Sequence, residues 1–391
     1  MIQSFYSPAK IVMGDGCASA VGAECAALGA GRVLLVTDRV IREQTDSVES
    51  ALRSLSGAGV AVEVFSDVEH DPLVATALRC TEFARTFRPD AIVGLGGGSS
   101  LDIAKATSIY LTNEATPRGE MWGLENVPRR GLPSILMPTT GGTGSEASRA
   151  CVLTDVEPDG THKKKSIFSS KVVSTVAIVD PLLTMTSPPA LTAATGMDAL
   201  THAVETYVSK EAQALTDPLA LEAIRLIGKY LRRAVANGDD LEARRGMANA
   251  AFMAGLAFSN GQLGIVHAIA VVMGGQFGVP HGIANAIMLP YVMEFNEMAA
   301  AERFARIAAV LGERVEGLSQ RDAAHRASEA VFRLMDDIGV PRRLEAVNVP
   351  RDAVPVLAEE VFRTQGRLRG VNPRGTTQQD FVRILERAAA G

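Results

Sequence analysis

Five short apolar runs recur through the first half of the chain: VLLVTD (33–38), VAVEVF (60–65), AIVGLG (91–96), SILMPTT (134–140) and VAIVDP (176–181). They are rich in Val and Ile and predict strands buried on both faces of a parallel sheet. Helical patterns separate them. One is DPLVATALRCTEFARTF (71–87), which Asp71 and Pro72 would open as cap and first-turn residue. This alternation defines an α/β domain with a doubly wound sheet. After about residue 182 the strand runs stop. DPLALEAIRLIGKYLRRAVAN (217–237), LEARRGMANAAFMAGLAFSN (241–260) and AAHRASEAVFRLMDDIG (323–339) carry helical spacing and predict a second domain that is nearly all helix. The 391 residues exceed the length at which a single core splits. Two domains are therefore expected, 1–182 and 183–391, joined near the Pro- and Thr-rich stretch at 180–196.

Charge and composition exclude several function classes. The formal net charge of −5 provides no basic field for nucleic acid or for an anionic membrane. No run approaches the ~18 apolar residues that a transmembrane helix needs. The N-terminal MIQSFYSPAKIVMG has no charged segment leading into an apolar one, so no secretory signal is expected. Cys17, Cys25, Cys80 and Cys151 form neither a CxxC pair nor a disulfide framework, which suits a reducing cytoplasm.

Two loops rich in Gly, Thr and Ser follow predicted strands. GLGGGSS (94–100) leads into the helical LDIAKATSIYL (101–111), and PTTGGTGSEAS (138–148) follows another strand. Glycines at a strand-to-helix turn let backbone N–H groups approach a phosphate, and the helix dipole adds favourable charge. A tight turn with no ligand would also use them, and the spacing matches neither G-x-G-x-x-G nor a Walker loop. Two such loops at strand ends favour a nucleotide crevice. Asp38 ends the first strand of this core. A carboxylate there could bind ribose hydroxyls and repel a 2′-phosphate, favouring NAD over NADP, or could simply cap the next helix.

In the helical half, GMDALTHAVE (196–205) sets Asp198 and His202 four residues apart, on one helical face. A surface ion pair would account for them as well as a ligand pair would. Two more of the six histidines, His267 in GIVHAIAVVMGG and His281 in GVPHGIANAIMLP, lie in long apolar stretches, where each imidazole needs partners. Each alone could be a satisfied core histidine. Three imidazoles and one carboxylate together suit Fe2+ or Zn2+ and suit Mg2+ or Ca2+ poorly.

GGGSSLDIAKA, PTTGGTGSEAS, GMDALTHAVE and VHAIA…VPHGIANAIMLPYV, in that order, resemble the iron-containing (group III) alcohol dehydrogenases. The resemblance runs from FYSPAKIVMGDG to NPRGTTQQDFVRIL (372–385). It implies the fold shared with dehydroquinate synthase: an α/β dinucleotide-binding domain, an all-α metal-binding domain and a cleft between them. It implies Asp198, His202, His267 and His281 as metal ligands. It implies Gly97, Gly98 and Ser99 on the pyrophosphate, with Asp102 and Lys105 following on the same helix. Thr139, Thr140 and the turn containing Thr143 and Ser145 would line the cofactor. Lys164, within KKKS, would lie near the ribose unless that basic triplet is a solvated loop. Members are usually dimers or larger, often pairing through the N-terminal strands, here SFYSPAKIVMG (4–14).

The implied activity is reversible hydride transfer between a small alcohol and NAD, with the divalent metal polarising the oxygen. A dehydroquinate synthase-like or glycerol-phosphate dehydrogenase-like activity shares the fold, and a non-catalytic metal and nucleotide binder is the third option. One position departs from the family: where a histidine often stands four residues after His267, this chain has Val271, so a histidine proton relay there is not expected. Arg149, directly after GTGSEAS, could grip a substrate carboxylate with its planar guanidinium, making a hydroxy acid the substrate. The other reading of Arg149 is an internal ion pair with Glu146 or Asp155.

Overall fold

The computed structural model describes residues 3–116, 118–156, 160 and 162–391, and the chain divides into two compact units, one of them Tyr6–Ser187 and the other built on Pro188–Gly391.

In the first unit the strands are β1 (Lys10–Met13), β2 (Arg32–Asp38), β3 (Ala61–Val68), β4 (Ala91–Gly96), β5 (Gly123–Leu124), β6 (Ser134–Pro138), β7 (Ala150–Val156), β8 (His162–Phe168) and β9 (Val176–Val179). Six form an all-parallel sheet in the order β1-β9-β6-β4-β2-β3. The helices are α1 (Val21–Ala27), α2 (Arg39–Gln44), α3 (Ser47–Gly57), α4 (Val74–Phe87) and α5 (Gly98–Thr112). The apolar runs do what the sequence implied. Leu34, Val36, Ile92 and Leu136 enter the core on one face of the sheet, and Val33, Leu35, Val93 and Ile135 enter the core on the other. Helices cover both faces, so neither set of alternate residues meets water.

Three features were not legible. β1 falls within the SFYSPAKIVMG stretch that the resemblance implied as a strand, but its place at the sheet edge beside β9 was not legible, because Lys10, Ile11 and Met13 are exposed and leave no apolar run. β5, β8 and β7 form a small second sheet, so the basic triplet is a strand rather than a solvated loop. Asp71 does not cap α4. It adopts φ +53°, the helix begins at Val74, and the carboxylate pairs with Lys164.

The second unit is helical throughout its described residues. Its helices are α6 (Pro189–Val208), α7 (Thr216–Ala236), α8 (Leu241–Gly261), α9 (Ile265–Phe277), α10 (His281–Val310), α11 (Gln320–Asp337), α12 (Val354–Thr364), α13 (Gly366–Val371) and α14 (Gln378–Ala390). One core joins them, centred on α6, α9 and the first half of α10. α6 is buried nearly all round, and only polar groups that find partners are tolerated on such a helix. Among the described residues, no single helix is long and apolar enough to cross a membrane.

Candidate functional site

α6 brings Asp198 and His202 to one buried face, one turn apart, as their spacing requires. His267, near the start of α9, and His281, the first residue of α10, come to meet them. Asp198 Oδ1 lies 3.9 Å from His202 Nε2, 3.8 Å from His267 Nε2 and 3.9 Å from His281 Nε2. The ligand atoms of Asp198, His267 and His281 all fall within 4.8 Å of one another. Ligands at ordinary bond lengths around a tetrahedral cation stand about 3.4 Å apart. Each imidazole Nε2 stands about half an ångström beyond that spacing from Asp198 Oδ1, and the chemistry of the four groups fits Fe2+ or Zn2+. Burial opposes ionisation of Asp198, but the three imidazoles and the Asn285 amide outweigh it and hold the carboxyl below its ordinary range. His202 stacks between Phe258 and His267, at 4.5 and 4.8 Å between ring centres, which fixes its plane. The side chain of His281 is 31% exposed, against 4% for His267, so the cluster opens to solvent at His281.

Two residues at this centre were missed. Glu205 closes the same GMDALTHAVE stretch and lies on the same face as Asp198 and His202, one further turn along. Its Oε2 takes the His267 Nδ1–H at 2.6 Å, and its Oε1 accepts from Val266 N, also at 2.6 Å. That contact sets the His267 tautomer and leaves Nε2 with its lone pair turned toward Asp198. It also satisfies one of the orphan N–H groups that begin α9. A Cβ on Gly264 would lie 2.8 Å from Glu205 Oε1, so glycine there is what admits the carboxylate. The second is Asn285, four residues after His281. It is fully buried, and its Nδ2 lies 2.7 Å from Asp198 Oδ1, 3.1 Å from His267 Nε2 and 3.2 Å from His281 Nε2. Asn285 stands four residues after His281 and Glu205 three after His202, so helical spacing places each on a ligand's face, although it does not name their partners. Val271 stands one turn beyond His267 on α9 and offers no titratable group.

Asp38, the 97–99 turn and the loop beginning at Thr139 lie at the carboxyl ends of β2, β4 and β6. The chain moves outward from β2 to β3 and then returns to the far side of β2 with β4, so the strand order reverses between β2 and β4. Ligands of doubly wound sheets bind at such a point. Asp38 ends β2; its Oδ1 caps α2 by accepting from Ile41 N, and its Oδ2 takes the Ser100 hydroxyl at 3.2 Å. Both readings of Asp38 thus meet in one side chain: it is a cap, and its charge stands beside the glycine turn. Gly97 holds the N-cap position of α5, and Gly98 and Ser99 form its first turn. A Cβ on Gly98 would lie 2.8 Å from the Thr143 side chain, so the second loop packs directly on the first. Thr139 N reinforces that contact by donating to Gly96 O at 3.0 Å. Thr140 Oγ1 is buried with no hydrogen-bond partner among the described residues, as expected of a hydroxyl that serves a ligand.

Asp102 and Ser145 are used internally. Ser145 donates to Asp102 Oδ1 at 2.5 Å, Val152 N donates to Oδ2 at 2.8 Å, and the buried Lys105 ammonium reaches Ser145, Ser148 O and Ala150 O. Burial pushes the Asp102 carboxyl up and the Lys105 ammonium down, each partly offset by the other at 3.9 Å. This knot fastens the second loop to α5 and so holds the turn in shape. Lys164 sits in β8 with its ammonium 2.7 Å from Asp71. Arg149 has Glu125 as its carboxylate partner, at 3.0 Å, and stacks on Tyr6 and Phe168. Glu125 also receives Ser169 and Ser170, and these bonds together with Arg149 lower its pKa against the cost of burial.

The first unit carries glycine loops at the switch point of a doubly wound sheet, and the second brings three histidines to one aspartate. Family models for iron-containing alcohol dehydrogenase match residues 8–181, and for the C-terminal part of the Fe-containing alcohol dehydrogenase family residues 192–389. The chain belongs to the iron-containing alcohol dehydrogenase family and is an oxidoreductase of that group. It is 42% identical to 1,3-propanediol dehydrogenase of Klebsiella pneumoniae, with 96% of each chain covered. It is 39% identical to NAD-dependent methanol dehydrogenase of Bacillus methanolicus, over 98% of this chain and 99% of that one. A solved 1,3-propanediol oxidoreductase superposes with a TM-score of 0.95 at 41% identity, covering 99% of this chain and 100% of the other.

Proposed function

We propose that the chain interconverts a short, uncharged alcohol and its aldehyde or ketone, at a divalent cation held by Asp198, His202, His267 and His281. The convergence of three imidazole Nε2 atoms on Asp198 Oδ1 carries this reading. A cation bound there would supply Lewis acidity toward a substrate oxygen, and a nicotinamide would supply the hydride acceptor or donor. Glu205 orients His267, and the stacked rings of Phe258 and His267 orient His202. Gly97, Gly98 and Ser99, opening α5, would hold the pyrophosphate on helix N–H groups.

Relatives named for 1,3-propanediol and methanol favour a short alcohol. The internal pairing of Arg149 speaks for a structural arginine and against a hydroxy acid substrate. Protein purified anaerobically should contain about one divalent ion per chain and produce NADH absorbance with short alcohols and diols. His267→Ala should lose the ion and nearly all turnover while still binding NADH. Full turnover by ion-free protein would overturn the proposal.

Asp38 supports a preference for NADH over NADPH, because its charge beside the glycine turn repels a 2′-phosphate. Asp38→Gly should narrow or reverse that preference in kcat/KM. A wild type that already prefers NADPH would refute this role. We further propose a homodimer formed through β1, which is an edge strand of the six-stranded sheet with Ile11 and Met13 about 40% exposed.

A further inference from the structure

The carboxyl ends of β2 and β3 carry two arginines beside the carboxylate of Asp38. Asp38 pairs in register with Val68, so the residues that follow β2 and those that end β3 stand side by side. Arg39 opens α2, and its Nε and Nη2 lie 3.0 and 2.7 Å from Asp67 Oδ1 on β3. Arg42, on the same helix, donates to the Ser66 hydroxyl at 2.9 Å. Both guanidinium groups are thus turned toward β3. In dinucleotide-binding sheets a carboxylate at this strand end selects a free ribose hydroxyl, whereas an arginine nearby accommodates a 2′-phosphate. This chain places both kinds of residue next to one another, and Asp67 occupies the arginine. The Arg39 and Asp67 side chains are 71% and 55% exposed, so their ion pair adds little to stability. What it contributes to this strand end is the direction and the neutralisation of the Arg39 charge.

We infer that Asp67 is a second determinant of cofactor choice, a positioning residue that acts through Arg39. Asp38 repels a 2′-phosphate directly, and Asp67 withholds the guanidinium that would otherwise be free to pair with one. This rests on the reading of Asp38 as the residue that meets the adenosine ribose. With Asp67 neutral, Arg39 is released to offer its fork of N–H donors to a phosphate. NADH carries no charge at the 2′ position, so its binding is indifferent to Asp67.

NADPH and NADH differ only at the 2′ position, so the ratio of their affinities isolates this strand end. Both are titrated by nicotinamide fluorescence, without substrate, into wild type and variants. Asp67→Asn should tighten NADPH about threefold to fivefold, the range that an exposed ion pair can withhold, and leave NADH unchanged. The gain should shrink as salt is added, because the new contact is exposed. Arg39→Ala, combined with Asp67→Asn, should cancel it. No gain for NADPH, an equal gain for NADH, or a gain that survives Arg39→Ala would overturn the inference; the last would mean that Asp67 acts by its own charge. Asp38→Gly separates the two readings. If it shifts the ratio of NADPH to NADH affinity and Asp67→Asn does not, only the role of Asp67 falls. If neither shifts it, the cofactor reading of Asp38 fails first.

Discussion

Glu146 is a buried carboxyl in the middle of the second glycine loop, with Oε2 unpartnered among the described residues. Burial pushes its pKa up to about 7; its own backbone N–H and Lys105 only partly oppose that rise. Between the ordinary carboxyl pKa and about 7, the folded chain keeps a proton that the unfolded chain has released, so stability falls as pH rises. Below that window both states are protonated and Glu146 has no effect. Above it the full cost stands, at most about 3 kcal/mol. Glu146→Gln should therefore melt higher than wild type at pH 8 by more than it does at pH 5. A pH-independent difference in Tm would show that Glu146 does not titrate in this window. The sequence offered Glu146 as an ion-pair partner for Arg149, but Arg149 pairs with Glu125, and the burial of Glu146 depends on how the loop folds against α5.

At the scale of the element, the start of α9 depends on a contact made by α6. Gly264 leaves room for Glu205, and Glu205 in turn both caps α9 and turns His267. Gly264→Ala should push the carboxylate away from both partners. We expect metal affinity to drop about 10- to 100-fold, with a lower Tm in loaded protein. Glu205→Asp, one methylene shorter, should recover part of the affinity when combined with Gly264→Ala. If Gly264→Ala binds metal as tightly as wild type, Glu205 does not orient His267. Asp198 and His202 were legible because helical spacing puts them on one face. Glu205 obeys the same spacing, yet its partner begins a different helix sixty residues on, and no local pattern records that.

For the whole molecule, the four candidate ligands come from three helices, α6, α9 and α10, which share one core. An ion that binds only the folded state adds stability by mass action. Chelation should lower the melting temperature, and restoring Fe2+ or Zn2+ should recover it. Insensitivity of the melt to both would argue that these side chains hold no ion. Assembly belongs to this scale too. Light scattering at micromolar concentration should give a dimer, and Met13→Lys, placing charge on the β1 edge, should shift it toward monomer. A wild-type monomer would refute the dimer, and a dimer unmoved by Met13→Lys would move its interface away from β1.

The sequence by itself determined the parallel sheet, the change to helix near residue 182, the glycine turns and the four candidate ligands. Each is recorded by periodicity, by residue type or by motif, all of which are local. Only the tertiary structure decided the partners of long polar side chains. It gave Arg149 to Glu125 and Lys164 to Asp71, and it bound Asp102, expected beside the cofactor, to Ser145 and Val152 instead. It also placed Glu205 and Asn285 against the imidazoles. A buried charge or amide must find a partner somewhere, but which one it finds is set by packing between segments distant in the chain.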